Sequence, residues 1–175
     1  MGDAIAWLTC GPDRPGRIAF LAFPGLTILS RGNLFVDPDA QEAIVASLAA
    51  GGCALFVSLI GEEEAPEGEF EALAEALRLA HIPLLHLPVV DFGTPDAAML
   101  ETLRPRLHAI LRQGGAVAVS CLAGFGRSGM IAAQVLIDCG HAPAAAVESV
   151  RAARPGAIES EAQLRFLLAQ ARAVP

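Results

Sequence analysis

The segment Ser120–Gly129, SCLAGFGRSG, combines a nucleophile with residues that grip an anion. Cys121 and Arg127 stand at a C-x5-R spacing, with Gly124 and Gly126 between them. A thiol attacks as its thiolate, and a free cysteine, with a pKa of ~8.5, is only about 3% ionised at pH 7. A helix N-terminus and nearby arginines lower that pKa, and the same positive field holds the dianion under attack. The reading therefore needs a turn from strand to helix whose backbone N–H groups point inward. Leu122, Ala123, Gly124, Phe125 and Gly126 would supply those amides, and Arg127 would fork onto two oxygens and follow them into the transition state.

The spacing alone is weak. The chain has 12 arginines and 4 cysteines in 175 residues, so an arginine six places after a cysteine arises readily by chance. The two glycines and the strand–loop–helix context carry the reading instead. A rival uses the same letters: Gly124, Gly126 and Gly129 form G-x-G-x-x-G, the dinucleotide fingerprint of an oxidoreductase. That fingerprint needs a second strand after the helix, ending in an acid about 20 residues on. Glu148 is near that distance but lies in AAAVESVRAARP, which reads as helix.

The elements around the loop alternate. AVAVS, ending at Ser120, is a continuous apolar run typical of a buried parallel strand, and the helix after it runs from about Ser128 to Cys139. Upstream, Ile5–Thr9 and Ile18–Phe23 form a strand pair around a Gly/Pro-rich turn at Gly11–Gly16. Asp37-Pro38 opens a helix to about Ala50. Cys53–Ile60 is a second buried strand, and Phe70, Leu73, Leu77 and Ala80 share one helical face. The acidic run GEEEAPEGE between them reads as a solvated face. Pro83–Val90 reads as a strand. Thr94-Pro95 opens a helix with a stripe of Leu100, Leu103, Leu107 and Leu111. Helices near Ala144–Ala153 and Glu161–Arg172 complete the chain. Strands alternating with helices imply parallel pairing with right-handed crossovers, hence an α/β three-layer sandwich with a mostly parallel central sheet.

Length fits one domain over residues 1–175, with residues 1–33 an N-terminal strand region. Hydrophobic residues make up 54% of the chain and charged residues 18%, enough for a packed core. The formal net charge of -7 argues against a protein that coats nucleic acid or an anionic membrane. Every basic residue is arginine. The cysteines, at positions 10, 53, 121 and 139, make no CxxC pair or Cys/His cluster, so neither a disulfide framework nor a metal site is expected. Cys53 and Cys139 read as inert core thiols. His81, His86, His108 and His141 are scattered and read as structural or solvated, and Trp7 as packing. No apolar run approaches the ~20 residues of a membrane helix and no signal peptide is evident, so the default location is the cytoplasm.

From Leu34 onward the sequence resembles the dual-specificity branch of the cysteine-based protein phosphatases, and most of all its kinase-associated phosphatase group. The family signature H-C-x-x-G-x-G-R-S/T corresponds to Ser120 through Ser128. Pro88-Val89-Val90-Asp91-Phe92-Gly93-Thr94-Pro95 resembles the loop that carries the family's aspartate, and Arg154-Pro155-Gly156-Ala157-Ile158-Glu159 with Gln163 resembles its R-P-G-x-I stretch and glutamine. The resemblance implies a two-step hydrolysis of phosphomonoesters, with Cys121 as nucleophile and Asp91 as general acid and then base. It also implies that Ser128 assists the sulfur as leaving group and that Gln163 orients the hydrolytic water. No cofactor or metal is implied. The substrate would be a phosphorylated protein or a small phosphomonoester. The apolar Leu122, Ala123 and Phe125 make a phosphoinositide the lesser expectation.

Each assignment has a plain structural counterpart. Asp91 suits a turn, and Ser128 suits a helix start. Ser160 with Gln163 forms a capping box, and Asp96 suits a first helical turn. One departure stands out, Ser120 in place of the family's histidine before the cysteine. It leaves open a phosphate-binding module with weak or absent catalysis.

Overall fold

The computed structural model describes residues 5–11 and 15–170. Five strands form the main sheet: β1 (Ile5–Thr9), β2 (Arg17–Ala22), β5 (Cys53–Ser58), β6 (Leu84–His86) and β7 (Ala116–Cys121). Their order is β1-β2-β7-β5-β6. β1 is antiparallel to β2, and the other neighbours are parallel. A separate two-stranded ladder joins β3 (Leu26–Ile28) to β4 (Leu34–Val36). The helices are α1 (Pro38–Ala50), α2 (Glu69–Leu79), α3 (Ala97–Arg112), α4 (Gly126–Asp138), α5 (Pro143–Ala153) and α6 (Glu161–Ala169).

The strand order dictates the layers. From β2 to β5 to β6 the chain moves one way across the sheet; from β6 to β7 it moves back. With right-handed crossovers, α1 and α2 cover one face and α3 the other. Arg104 and His108 of α3 reach Asp138 of α4, at 2.9 and 3.3 Å, so α4 shares the second face, where α5 and α6 pack on it. The fold is therefore the expected α/β sandwich with a mostly parallel sheet. At its centre, Met130, Ile131, Ala132 and Ala133 are fully buried, as the all-round apolar sequence of α4 requires.

Local differences from the sequence reading have local causes. The β3–β4 ladder was not anticipated, because three-residue strands are too short to show a period. The expected strand at Pro83–Val90 is regular only over Leu84–His86; beyond it Leu87 N still donates to the O of Ser58, the last residue of β5, and Val89 N to Leu59 O just past its end. α3 starts at Ala97 rather than at Thr94-Pro95, because Asp96 Oδ1 accepts from Met99 N at 2.8 Å and caps the helix. α4 starts two residues before Ser128. Cys139 caps α4 in a half-buried position, whereas Cys53 is buried, and burial pushes its thiol up to about 11. The expected end of the last helix, at Arg172, and the middle of the Gly11–Gly16 turn lie outside the described residues.

Candidate active site

β7 is the middle strand, with parallel neighbours on both sides. Ligands of such sheets bind beyond the carboxyl ends of the strands, where the chain direction across the sheet reverses. That is where the cysteine loop lies. β7 ends on Cys121 and α4 begins at Gly126, so Leu122–Phe125 make the turn. Neighbouring segments take two of its carbonyls: Phe23 N donates to Leu122 O, and Ile158 N to Phe125 O. Among the described residues, no backbone hydrogen bond is donated by the amides of Leu122, Ala123, Gly124 or Phe125. The N-terminus of α4 has no side-chain cap either. Free amides at the positive end of a 13-residue helix form an anion cradle. Gly124 is required there: its φ is +77°, and a Cβ would lie against Ala22 N and 2.6 Å from Leu21 C.

Cys121 is 2% exposed, and its Sγ is 3.3 Å from the Ser128 Oγ. Arg127, also 2% exposed, is held on three sides. Its Nη1 and Nη2 donate to Glu64 Oε1 and Oε2 at 2.7 and 2.8 Å, and Nη1 also donates to Val89 O at 3.0 Å. Nη2 lies 3.3 Å from Asp91 Oδ1. Its Nε is buried and has no hydrogen-bond partner, a donor left for an oxyanion. Burial alone would push the Arg127 guanidinium down, but Glu64, Cys121 and Asp91 raise it above its ordinary value. Burial likewise opposes ionisation of Glu64, yet Arg127 and the Gly61 amide hold its carboxyl below the usual range.

Sequence reasoning missed Glu64. It belongs to the acidic run first read as a solvated face, yet it turns inward from a 3-10 turn, Glu62–Glu64. The available signal was topological. The run follows β5, the neighbour of β7, and so emerges at the same end of the sheet as the cysteine loop.

Asp91 comes from the segment after β6. Its Oδ1 accepts from Phe92 N at 3.1 Å, and the carboxylate stays largely exposed while facing Arg127. Phe92 adopts φ +58°, a strained value for a side chain of its kind. Ser160 Oγ donates to Phe92 O at 2.8 Å, and Gln163 Nε2 to Gly93 O at 3.3 Å, so the start of α6 ties down the acid segment. Gln163 Oε1 accepts from Glu159 N and Ser160 N at 3.1 and 3.3 Å, while Ser160 Oγ accepts from Gln163 N, completing the capping box. Gln163 is fully buried, and its Nε2 lies 3.2 Å from where a Gly126 Cβ would stand, so it borders the loop while serving as a strut.

Arg154 stacks on Phe125, 5.4 Å from the ring centroid, and on Phe20 at 5.7 Å. Burial lowers its pKa, partly offset by Cys121. Ser120, in the place of the family's histidine, is buried, and its hydroxyl donates to Cys121 O at 3.3 Å. Cys121, Arg127, Ser128 and Asp91 thus meet at one end of the sheet, with Gln163 alongside. Asp96 caps α3, His86 bonds Ile60 O and His141 bonds Cys10 O, whereas Glu159 also borders the loop, its Oε2 2.6 Å from where a Gly126 Cβ would stand. Trp7 packs under the Arg17 guanidinium. The dinucleotide reading fails, since Glu148 lies within α5 and no described strand follows α4.

Residues 39–141 match a family described as "Polymorphic toxin system, DSP-PTPase phosphatase". The chain belongs to this family. This phosphatase has no match among curated proteins. Among solved structures it is similar to a kinase-associated phosphatase whose catalytic cysteine is replaced by serine, with 21% identity, 100% of this chain and 99% of that one covered, and a TM-score of 0.78. It is similar to Tk-PTP in its active form, with 22% identity, 99% and 100% coverage and a TM-score of 0.71. A putative protein tyrosine phosphatase from Leishmania major matches at 18% identity, 95% and 98% coverage and a TM-score of 0.71. At such identities these likenesses speak for the fold. Among the described residues, no helix of the phosphatase is long and apolar enough to cross a membrane.

Proposed function

We propose that the phosphatase hydrolyses phosphomonoesters through a phosphocysteine on Cys121. The loop amides and Arg127 grip the three terminal oxygens. The Cys121 sulfur attacks phosphorus as the ester P–O bond breaks, and Asp91 gives its proton to the departing oxygen. Asp91, now a carboxylate, then takes a proton from water as that water attacks phosphorus. The S–P bond breaks and the sulfur leaves with its electron pair, accepting a hydrogen bond from the Ser128 hydroxyl. Inorganic phosphate is the product.

One observation carries this reading: Arg127 is fixed by Glu64, with its buried Nε unpaired, beside a cysteine already in contact with the Ser128 hydroxyl. The substrate is a phosphorylated protein or a small phosphomonoester, with aryl esters preferred. Val90 and Phe92, which flank Asp91, are 83% and 56% exposed and suit an aromatic leaving group. Purified protein should turn over a generic aryl phosphate, and Cys121→Ser should abolish turnover. Phosphate or vanadate binding with no turnover in either protein would favour a binding module instead, the alternative that Ser120 leaves open.

A further inference from the structure

On the face of the sheet covered by α1 and α2, the two helices each bury one stripe: Val45 and Leu48 from α1, and Phe70, Leu73 and Leu77 from α2. Beside these stripes lies an open groove of about 570 Å³. Its lining positions recur at three- and four-residue steps on both helices, from Pro38 to Ala46 and from Ala72 to Ala80. The facing side chains are too short to close it: Ala46 stands on one bank and Ala72 and Ala76 on the other. Leu79 borders it at 64% exposed. The charged residues of the lining are Glu42 on one helix and Glu75 on the other, so each bank carries a carboxylate and neither a cation. Glu75 pairs with Arg78 along its own helix, but both are solvent-exposed and such a pair exchanges cheaply.

We propose that this groove takes an amphipathic helix of a partner protein, with small apolar residues along its buried stripe and Lys or Arg on both flanks. The lining of each bank spans about two helical turns, about 12 Å from Pro38 to Ala46. A helix laid between two helices seats its ridges in their grooves and satisfies its own backbone, whereas an extended peptide would leave N–H and C=O groups facing the alanine walls. Glu42 and Glu75 fix the sign of the flanks. A second copy of this chain, with its net charge of -7, is the poorer occupant. The site is independent of the phosphatase chemistry, because none of its lining residues belongs to the cysteine loop or the acid segment.

The test uses the full chain, isotopically labelled, with two synthetic helical peptides of about 14 residues, one with alanine at i, i+4, i+7 and lysine flanks, the other with the same stripe and glutamate flanks. Saturable amide shifts confined to α1 and α2 are expected with the lysine peptide and none with the glutamate peptide. The double variant Glu42→Lys with Glu75→Lys should weaken the lysine peptide by about tenfold or more and admit the glutamate peptide. Ala76→Phe, which fills the groove without changing charge, should abolish binding of the lysine peptide. The proposal is overturned by no shifts on α1 and α2 with the lysine peptide, or by equal shifts with both peptides. It is also overturned if the groove amides shift with protein concentration alone, since a second copy would then be the occupant.

Discussion

At the scale of single residues, the site turns on how Arg127 is held. Glu64 supplies two charge-assisted hydrogen bonds to a guanidinium that is almost wholly buried, so its removal leaves a buried cation poorly oriented. Hydrogen bonds to charged groups are worth about 1.5–3 kcal/mol. Glu64→Gln should therefore lower kcat/KM for an aryl phosphate by roughly 10- to 100-fold, with the fold retained by circular dichroism; unchanged kinetics would remove Glu64 from the account. Phe92 makes a second case. Its φ of +58° costs of order 1 kcal/mol and survives because Ser160 and Gln163 hold the neighbouring carbonyls. Phe92→Gly should raise the unfolding free energy by about 1 kcal/mol while reducing the preference for aryl over alkyl phosphates. A less stable protein with intact aryl selectivity would contradict both halves of that reading.

At the scale of elements, the loop between β7 and α4 depends on one close approach. Gly124 packs against the backbone of β2 in a left-handed conformation, so Gly124→Ala must shift either the loop or the strand. A loss of about 2 kcal/mol or more in thermal unfolding, together with weakened phosphate binding, is expected; an unaffected melting curve would mean the loop is looser than described. The cysteine, the arginine and both glycines of this turn were legible in the sequence, because a buried strand running into an apolar helix brackets them. Asp91 was legible only through the resemblance of Pro88–Pro95 to the family's aspartate loop, since its Gly and Pro neighbours by themselves suit a turn. Glu64 was not, since three consecutive glutamates look like a solvated face until the strand order brings them beside β7. Gln163 reads both as a capping residue and as a catalytic candidate because it borders two segments at once. The β3–β4 ladder escaped notice because three residues carry no period.

At the scale of the whole molecule, the sheet order assembles the site. Glu64 follows β5, Asp91 follows β6, the cysteine loop follows β7, and the segment before α6 reaches across to brace the acid. The same organisation ties stability to pH. Burial opposes ionisation of both Glu64 and Asp138, but Arg127 and the Gly61 amide hold Glu64 below its ordinary range, while His108, Arg104 and Gln134 hold Asp138 below its own. A carboxyl depressed in the folded state stabilises fully above its unfolded pKa of about 4, and that stabilisation is lost as pH falls through the lower, folded value. Urea midpoints should therefore drop below about pH 4, and the drop should be shallower in Glu64→Gln and Asp138→Asn. An acid limb as steep in both variants as in the parent would place the acid sensitivity elsewhere.

The central claim is a covalent bond between Cys121 and phosphorus. The direct measurement is rapid mixing of Asp91→Ala with an aryl phosphate, acid quenching, and peptide mass spectrometry. One added phosphoryl group on the peptide containing Cys121, absent from the Cys121→Ser control, is the predicted result. Substrate consumed by the parent protein with no phosphoryl group ever trapped on that cysteine, or one trapped on another residue, would contradict it.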